Sequence, residues 1–116
     1  MCLTSLDAVT KKKRVGYKVM YPRGENHVQG LYYGTPIQIG KWVKDRKHRA
    51  ITVFSYGFHY PTGFHVYNNM EDPKETDIYI GSALYRVQMR KVVASGHQFG
   101  RPVTVCREIF IEKEVI

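Results

Sequence analysis

Hydrophobic and polar residues alternate along much of this chain, and a period of two predicts β-strands with one buried face. The pattern is clearest over 85–90 and 103–112, on either side of a turn predicted at 95–102. Apolar side chains occupy one face of both runs, and polar side chains such as Thr104, Glu108 and Glu112 occupy the other. This predicts a long C-terminal hairpin packed against the core. The apolar positions are Tyr85, Val87, Met89, Val103, Val105, Ile109 and Ile111.

Shorter runs of the same kind precede the hairpin, and glycine and proline separate them. They predict strands at 15–19, 28–33, 37–43, 50–54 and 64–67. Gly40 predicts a bulge inside the third strand. Asn68 or Asn69 is a suitable N-cap for a short helix ending near Asp77, because acidic side chains follow at its positive end. The expected fold is α+β and mainly β: a twisted antiparallel sheet with a long C-terminal hairpin and one short helix.

The beginning of the chain lacks this periodicity. Residues 1–13 have a mixed composition and end in the like-charged block Lys11-Lys12-Lys13, which predicts a flexible basic N-terminal arm. A chain of 116 residues can bury one core but is too short for two. We therefore expect a single β-rich domain over 14–116.

Composition adds a strong positive charge. The chain has 18 Lys and Arg against 10 Asp and Glu, a formal net charge of +8, which favours anionic partners. Six basic residues, counting His48, fall within 41–49, and only Asp45 opposes them. The two cysteines, Cys2 and Cys106, stand at opposite ends without disulfide spacing, and no apolar run reaches transmembrane length. These features predict a cytoplasmic protein with reduced thiols and no membrane partner.

The most unusual stretch is 56–69, where Gly-Phe-His occurs twice, at 57–59 and 63–65. Aromatic rings beside glycines suit a shallow site for a planar ligand. Arginines alternate along the predicted hairpin, and guanidinium groups can bind phosphate oxygens while rings stack on a base. The candidate ligand-binding residues are Phe58, His59, Phe64, His65, Tyr67, Arg86, Arg90 and Arg101. A charged outer face that serves only solubility explains the arginines about as well, and Trp42 is interpreted as a core or core-rim residue.

Other chemistries have weaker support. His59, His65, His97 and Cys106 offer zinc donors, but their spacing matches no zinc motif, and hydrogen-bonded imidazoles at a sheet edge are the simpler interpretation. Cys106 lies in an alternating strand, which predicts a small buried hydrophobe whose thiol pKa is not lowered. No nucleophile elbow or phosphate loop is present. We expect no catalytic residue, no metal and no cofactor.

Several short strings resemble small tailed-bacteriophage proteins of the accessory or counter-defence type. These strings are Met1–Thr4, Tyr17–Val19, Gly63–Tyr67, Val93–Gly96 and Val105–Ile109. The resemblance spans most of the chain and implies a product that acts in the cytoplasm of a bacterial host. The string at 63–67, followed by an acidic helix, is also similar to parts of ADP-ribosyltransferase-type folds. The catalytic histidine or arginine and the catalytic glutamate of those enzymes are not identifiable here.

Three functions follow from these observations. The first is sequestration of a nucleotide-like anionic ligand, such as a host defence signal, by a self-associating protein, since sites between subunits enlarge the pocket of a small domain. The second is binding to nucleic acid or to a host defence protein, for example inhibition of a CRISPR complex. The third is a small hydrolase or an ADP-ribosyltransferase-like enzyme that uses His59 or His65. We expect the first, because exposed rings beside basic residues are hard to explain by solubility.

Overall fold

The computed structural model describes residues 3–7, 15–30, 36–45, 50–53, 58–61, 63–71, 73 and 81–115, with the backbone alone for 50–53. These residues form ten β-strands, and every strand pairing is antiparallel. The strands are β1 Ser5–Asp7, β2 Val15–Pro22, β3 His27–Gly30, β4 Ile37–Gln38, β5 Trp42–Lys44, β6 Ala50–Val53, β7 Phe58–Pro61, β8 Phe64–Tyr67, β9 Ala83–Gln98 and β10 Arg101–Glu114. The predicted mainly β, antiparallel class is therefore confirmed.

Eight strands belong to one sheet. Seven of them follow the order β1-β9-β10-β8-β2-β3-β4, and the eighth, β5, pairs with β10. β9 also pairs with β2, so β9, β10, β8 and β2 form a closed circuit of hydrogen-bonded neighbours. Closure is possible because β9 and β10 are long. β9 pairs with β2 over 83–88 and with β1 over 95–97, while β10 pairs with β8 over 103–106 and with β5 over 108–110. β6 and β7 form a separate two-stranded sheet.

The C-terminal hairpin is present, but its turn is shorter than predicted. β9 and β10 pair from Gln98 opposite Arg101 to Tyr85 opposite Glu114, so only Phe99 and Gly100 connect the strands. Both residues have positive φ, 50° and 83°, as a type I′ turn requires. The predicted turn at 95–102 is therefore wrong in extent, since strand pairing continues to the last two residues.

The hairpin has two register shifts, and its apolar side chains divide between two clusters at the first of them. One shift lies between Val105 and Cys106 and the other between Ile111 and Lys113. The main core contains Met20, Val28, Ile37, Phe64, Val66, Ala83, Tyr85, Val87, Met89, Val92, Cys106, Ile109 and Ile111. The second core contains Leu3, Tyr60, Tyr67, Ala94, Val103 and Val105. Residues predicted to share one apolar face are thus all buried, but they pack against different neighbours.

The structure describes the predicted N-terminal arm and the predicted short helix only in part. Within the predicted arm, Leu3 is buried in the second core and β1 pairs with β9, while 8–13 lie outside the described residues. Most of the predicted helix also lies outside them, and its described positions 69–71 and 73 are turn and bend residues. The described part of the chain contains no helix, and hence none of the length and hydropathy needed to cross a membrane.

Two predicted strands also end differently. Gly40, with a φ of 78°, lies in a turn between β4 and β5, so the predicted strand at 37–43 is two short strands and not one bulged strand. Residues 31–33 of the strand predicted at 28–33, and Phe54 of the one at 50–54, lie outside the described residues. The strand predicted at 64–67 is β8, with those bounds.

Candidate functional site

A basic and aromatic surface lies where β5 joins the hairpin. Trp42 pairs with Phe110 and Lys44 pairs with Glu108, so these four side chains lie on one side of the two strands. Arg90 pairs with Glu108 from β9. The rings of Trp42 and Phe110 are half-buried, with centroids 5.7 Å apart and planes inclined by 54°. The basic–aromatic face consists of Trp42, Lys44, Arg90, Lys91, Glu108 and Phe110.

Arg90 is fixed on Trp42 while remaining accessible. Its guanidinium carbon is 4.0 Å from the centroid of the Trp42 ring, and its Nε–H donates to Glu108 Oε1 at 2.6 Å. The Arg90 side chain is 48% exposed. A cation–π contact of this kind contributes about 0.5–1 kcal/mol at an exposed site. The two contacts orient the guanidinium plane without burying it.

Lys91 reaches the same carboxylate through an irregular backbone. Its Nζ is 2.8 Å from Glu108 Oε2, although consecutive residues of a regular strand point to opposite faces. Lys91 has a φ of 57°, and the register of β9 on β10 shifts between Val92 and Ala94. A left-handed conformation costs a non-glycine residue about 1–3 kcal/mol. The result is that two consecutive cations lie together on one face.

Glu108 organises these cations from a position closed to solvent. Its side chain is only 3% exposed, because the long side chains of Lys91 and Arg90 cover it, and not because it lies deep in a core. The hydrogen bonds from Lys91 and Arg90 hold the pKa of the Glu108 carboxyl below its ordinary value. The carboxylate therefore stays ionised and keeps both cations in place. With Lys44 opposite, three cations surround one anion, and the face is net positive.

Three of the predicted ligand-binding side chains are buried. Phe64 lies in the main core and Tyr67 in the second core, while His65 is also buried. Phe58 is half-buried against the second core, and His59 is exposed on β7. Because their rings are buried, Phe64, His65 and Tyr67 present no open face on which a planar ligand could stack.

His65 is part of a buried chain of hydrogen bonds. The Gly63 carbonyl can only accept a hydrogen bond, so His65 Nδ1 carries the proton and donates to it at 3.2 Å. Nε2 of the neutral ring then accepts from the Tyr60 hydroxyl at 2.9 Å, and this hydroxyl accepts in turn from the Leu3 N–H, also at 2.9 Å. Burial is the main cause that lowers the pKa of His65 to about 3, and nearby Lys18 adds to it. His65 is therefore a neutral structural residue that connects β8, β7 and the N-terminal segment.

The three predicted arginines are not brought together. Arg86 lies four residues before Arg90 on β9, and its Nη1 is 3.4 Å from Glu112 Oε2. Arg101 lies next to the hairpin turn, with its guanidinium carbon 5.7 Å from the centroid of Tyr67. Of these three arginines, Arg90 is the one that contacts a half-buried ring, because the Tyr67 ring beside Arg101 is buried.

Buried Cys106 and half-buried Lys18 are the other chemically notable residues. Cys106 is fully buried, as predicted, and burial raises the pKa of its thiol to about 12. Lys18 Nζ donates to the His65 carbonyl at 2.8 Å, and burial lowers the pKa of its amino group to about 8. The described residues contain no group of three or more His, Cys, Asp or Glu side chains that could hold a metal ion.

The sequence contained a signal for part of the face. Phe110 stands between Ile109 and Ile111, so its ring falls on the polar side of an alternating strand. Trp42 and Lys44 likewise share one side of β5. Nothing in the sequence indicates that β5 pairs with β10, and this long-range pairing alone brings the two rings together.

Comparison of the chain with protein-family models, with curated proteins and with solved structures gives no match.

Proposed function

We propose that the protein is a non-enzymatic binder of nucleotide-type ligands, and that single-stranded nucleic acid is the ligand that best suits its basic–aromatic face. The observation that carries this proposal is Arg90, which is stacked on Trp42 at 4.0 Å while nearly half of its side chain is exposed. Planar cations and aromatic rings together provide the stacking that holds bases.

Base recognition depends on stacking. One face of the Arg90 guanidinium contacts Trp42, and the exposed opposite face is available to a planar base. Phe110 extends the aromatic surface beside Trp42. A base stacked on an aromatic platform is worth about 1–3 kcal/mol by alanine substitution. Stacking of this kind accepts every base, so we expect little sequence preference.

Phosphate contacts come from the surrounding cations. The Lys91 side chain is 62% exposed, and Lys44 is exposed on the neighbouring strand. The contact with Glu108 uses only the Nε–H of Arg90, which leaves its terminal nitrogens to donate to phosphate oxygens. The overall charge of +8 adds a long-range attraction for polyanions. Affinity should therefore fall steeply with salt.

The openness of the basic–aromatic face favours a nucleic-acid strand over a small signal molecule as the ligand. Sites that capture small molecules are usually concave and cover most of the ligand surface. Here the contacting side chains are half-buried or exposed on the outside of a sheet. A strand gains successive phosphate and base contacts along such a surface. Sequestration of a nucleotide signal, within the counter-defence role implied by the phage resemblance, is the other outcome of the test.

The test is fluorescence anisotropy with a labelled oligonucleotide of about 16 nucleotides, a length that covers the usual site sizes. Trp42→Leu and Arg90→Gln should each weaken binding about 5–100-fold, the equivalent of one lost stacked base. Arg86→Gln is the matched control, because it removes the same charge from the same strand at a side chain that contacts Glu112, whereas Arg90 is the arginine stacked on Trp42. It should change affinity only a few-fold.

Equal losses from Arg90→Gln and Arg86→Gln would contradict a stacking site, since they would indicate attraction by charge alone. Isothermal titration with mononucleotides and cyclic nucleotides separates the two ligand sizes. Tight binding of a small nucleotide, without binding of the oligonucleotide, would indicate that the ligand is a nucleotide signal and not single-stranded nucleic acid. Ligand recovered intact after binding would agree with a non-enzymatic role.

A further inference from the structure

A second arginine is stacked on an aromatic ring at the turn between β2 and β3. The guanidinium carbon of Arg23 is 5.3 Å from the centroid of the Tyr21 ring, within the distance of about 6 Å over which a ring attracts a cation. The Arg23 Nε–H donates to Gln29 Oε1 at 2.9 Å, and Nη1 donates to the Pro22 carbonyl at 3.2 Å. Arg23 is exposed and Tyr21 is half-buried. Tyr21, Arg23 and Gln29 are here called the β2–β3 site.

The β2–β3 site repeats the arrangement of Arg90 on Trp42. In both places an exposed guanidinium lies over a half-buried ring, and its Nε–H is bound by a side-chain oxygen from a neighbouring strand. Glu108 supplies this oxygen in the basic–aromatic face, and Gln29 supplies it in the β2–β3 site. These contacts orient the guanidinium before a ligand arrives, which reduces the entropy lost on binding. The β2–β3 site therefore has the features on which the proposed stacking of a base depends.

Strand register places the β2–β3 site on the same side of the eight-stranded sheet as the basic–aromatic face. Trp42 pairs with Phe110, which pairs with Gln88. Gln88 pairs with Val15 of β2, and directly opposed residues of antiparallel strands share one side of a sheet. Tyr21 is six residues after Val15 on β2, an even number, so its ring lies on that side too. The two positions are about 20 Å apart along the strand.

The two stacked arginines form separate sites and not one continuous surface. Val19 and Leu84 lie between them on the same side of the sheet, and both are buried. A ligand that occupies both sites must therefore bridge about 20 Å. A nucleic-acid strand meets this condition, because about 16 nucleotides measure about 50 Å even at the stacked spacing of about 3.4 Å per nucleotide. A mononucleotide is too short.

We propose that the β2–β3 site is a second base-stacking site for single-stranded nucleic acid, occupied by the same strand that binds the basic–aromatic face. The inference rests on the proposed function, which supplies the strand. Once the strand is bound at one site, its contact with the other is intramolecular, so the two sites raise the affinity together. Glu25, in the same turn, offsets the charge of Arg23, so stacking and not net charge supplies the affinity here.

Photocrosslinking to an oligonucleotide of about 16 nucleotides that contains 5-bromouracil tests both sites at once. Trypsin cleaves after lysine and arginine, so Trp42 falls in peptide 42–44, and Tyr21 is the one aromatic residue of peptide 19–23. Both peptides should carry a nucleotide adduct. An adduct on 42–44 alone would overturn the β2–β3 site and leave the proposed function intact. An adduct on 19–23 alone would support the β2–β3 site and contradict the basic–aromatic face.

Two exposed-site variants measure the contribution of the β2–β3 site by anisotropy with the same oligonucleotide. Arg23→Gln should weaken binding about 5-fold or more, the equivalent of one lost stacked base. Arg23→Lys is the matched control for charge, because lysine keeps the charge but lacks the planar guanidinium, and it should weaken binding nearly as much.

The length of the strand separates the two sites. An oligonucleotide of about 3 nucleotides measures only about 10 Å at the stacked spacing and cannot bridge them. Quenching of Trp42 by this short strand should therefore be the same in wild type and in both Arg23 variants. Wild-type affinity of Arg23→Lys for the long strand would overturn the proposal, since charge alone would then explain the role of Arg23.

Discussion

The free energy of unfolding is expected to fall as the pH drops from about 6 to about 4, because His65 cannot accept a proton without losing its buried contacts. Its Nδ1–H already donates to the Gly63 carbonyl, and its Nε2 accepts the Tyr60 proton. A proton on Nε2 would require the Tyr60 hydroxyl to turn away. The hydroxyl also accepts from the Leu3 N–H, so the whole chain of hydrogen bonds would have to rearrange.

The magnitude follows from two pKa values. Burial lowers the pKa of His65 in the folded protein to about 3, against 6.5 for an unperturbed histidine. The folded state therefore disfavours the proton, and the unfolded state binds it as the pH falls below 6.5. The stability contributed by neutral His65 is complete above that pH and is lost progressively towards pH 3. Linkage gives a loss of about 2–3 kcal/mol between about pH 6 and about pH 4.

Urea unfolding monitored by circular dichroism, with wild type and His65→Gln at several pH values, measures this loss. Glutamine does not titrate, and other acid-sensitive groups such as Glu108 remain in both proteins. The difference in free energy of unfolding between wild type and His65→Gln should fall by about 2–3 kcal/mol between about pH 6 and about pH 4. A pH-independent difference would refute the reasoning, as would NMR titration of the His65 ring near its unperturbed pKa.

Three further predictions concern stability and reactivity. Gly63→Ala should cost about 1–3 kcal/mol in urea unfolding, because its Cβ would lie 2.5 Å from the Cys106 carbonyl oxygen; an unchanged midpoint would contradict this packing. In a Cys2→Ser background, Cys106 should react with a thiol reagent at about pH 8 only on unfolding, so fast labelling of the folded protein would contradict its burial. The free energy of unfolding of wild type relative to Lys18→Met should grow by about 1–2 kcal/mol from about pH 8 to about pH 10, because the lowered pKa of Lys18 favours its neutral form in the folded state. A difference that does not change with pH would argue against a buried amine.

The hairpin was predictable because its two strands are local in sequence and because apolar and polar residues alternate over most of both strands. The same alternation did not reveal that the apolar residues divide between two cores. That division falls at the register shift between Val105 and Cys106, where β9 has one residue more than β10, and the alternation of apolar residues does not mark this position.

The candidate site was predictable in its chemistry but not in its location. Arg90 was expected to bind a ligand beside a ring, and the ring next to it is Trp42, which was interpreted as core or core rim. The rings of β8 were expected to be accessible, yet β8 has both faces covered. Phe64 enters the main core and Tyr67 the second core. The nearly continuous apolar run of β8 is the pattern of a strand buried on two sides.

The central claim is that bases stack at Trp42 and Arg90, and the fluorescence of Trp42 tests it most directly because the chain has one tryptophan. Titration with an unlabelled oligonucleotide of about 16 nucleotides should quench this emission saturably, with a midpoint that rises with salt. Arg86→Gln should retain the quenching. Binding detected by anisotropy without any change in Trp42 emission, or no binding at low salt, would contradict the account.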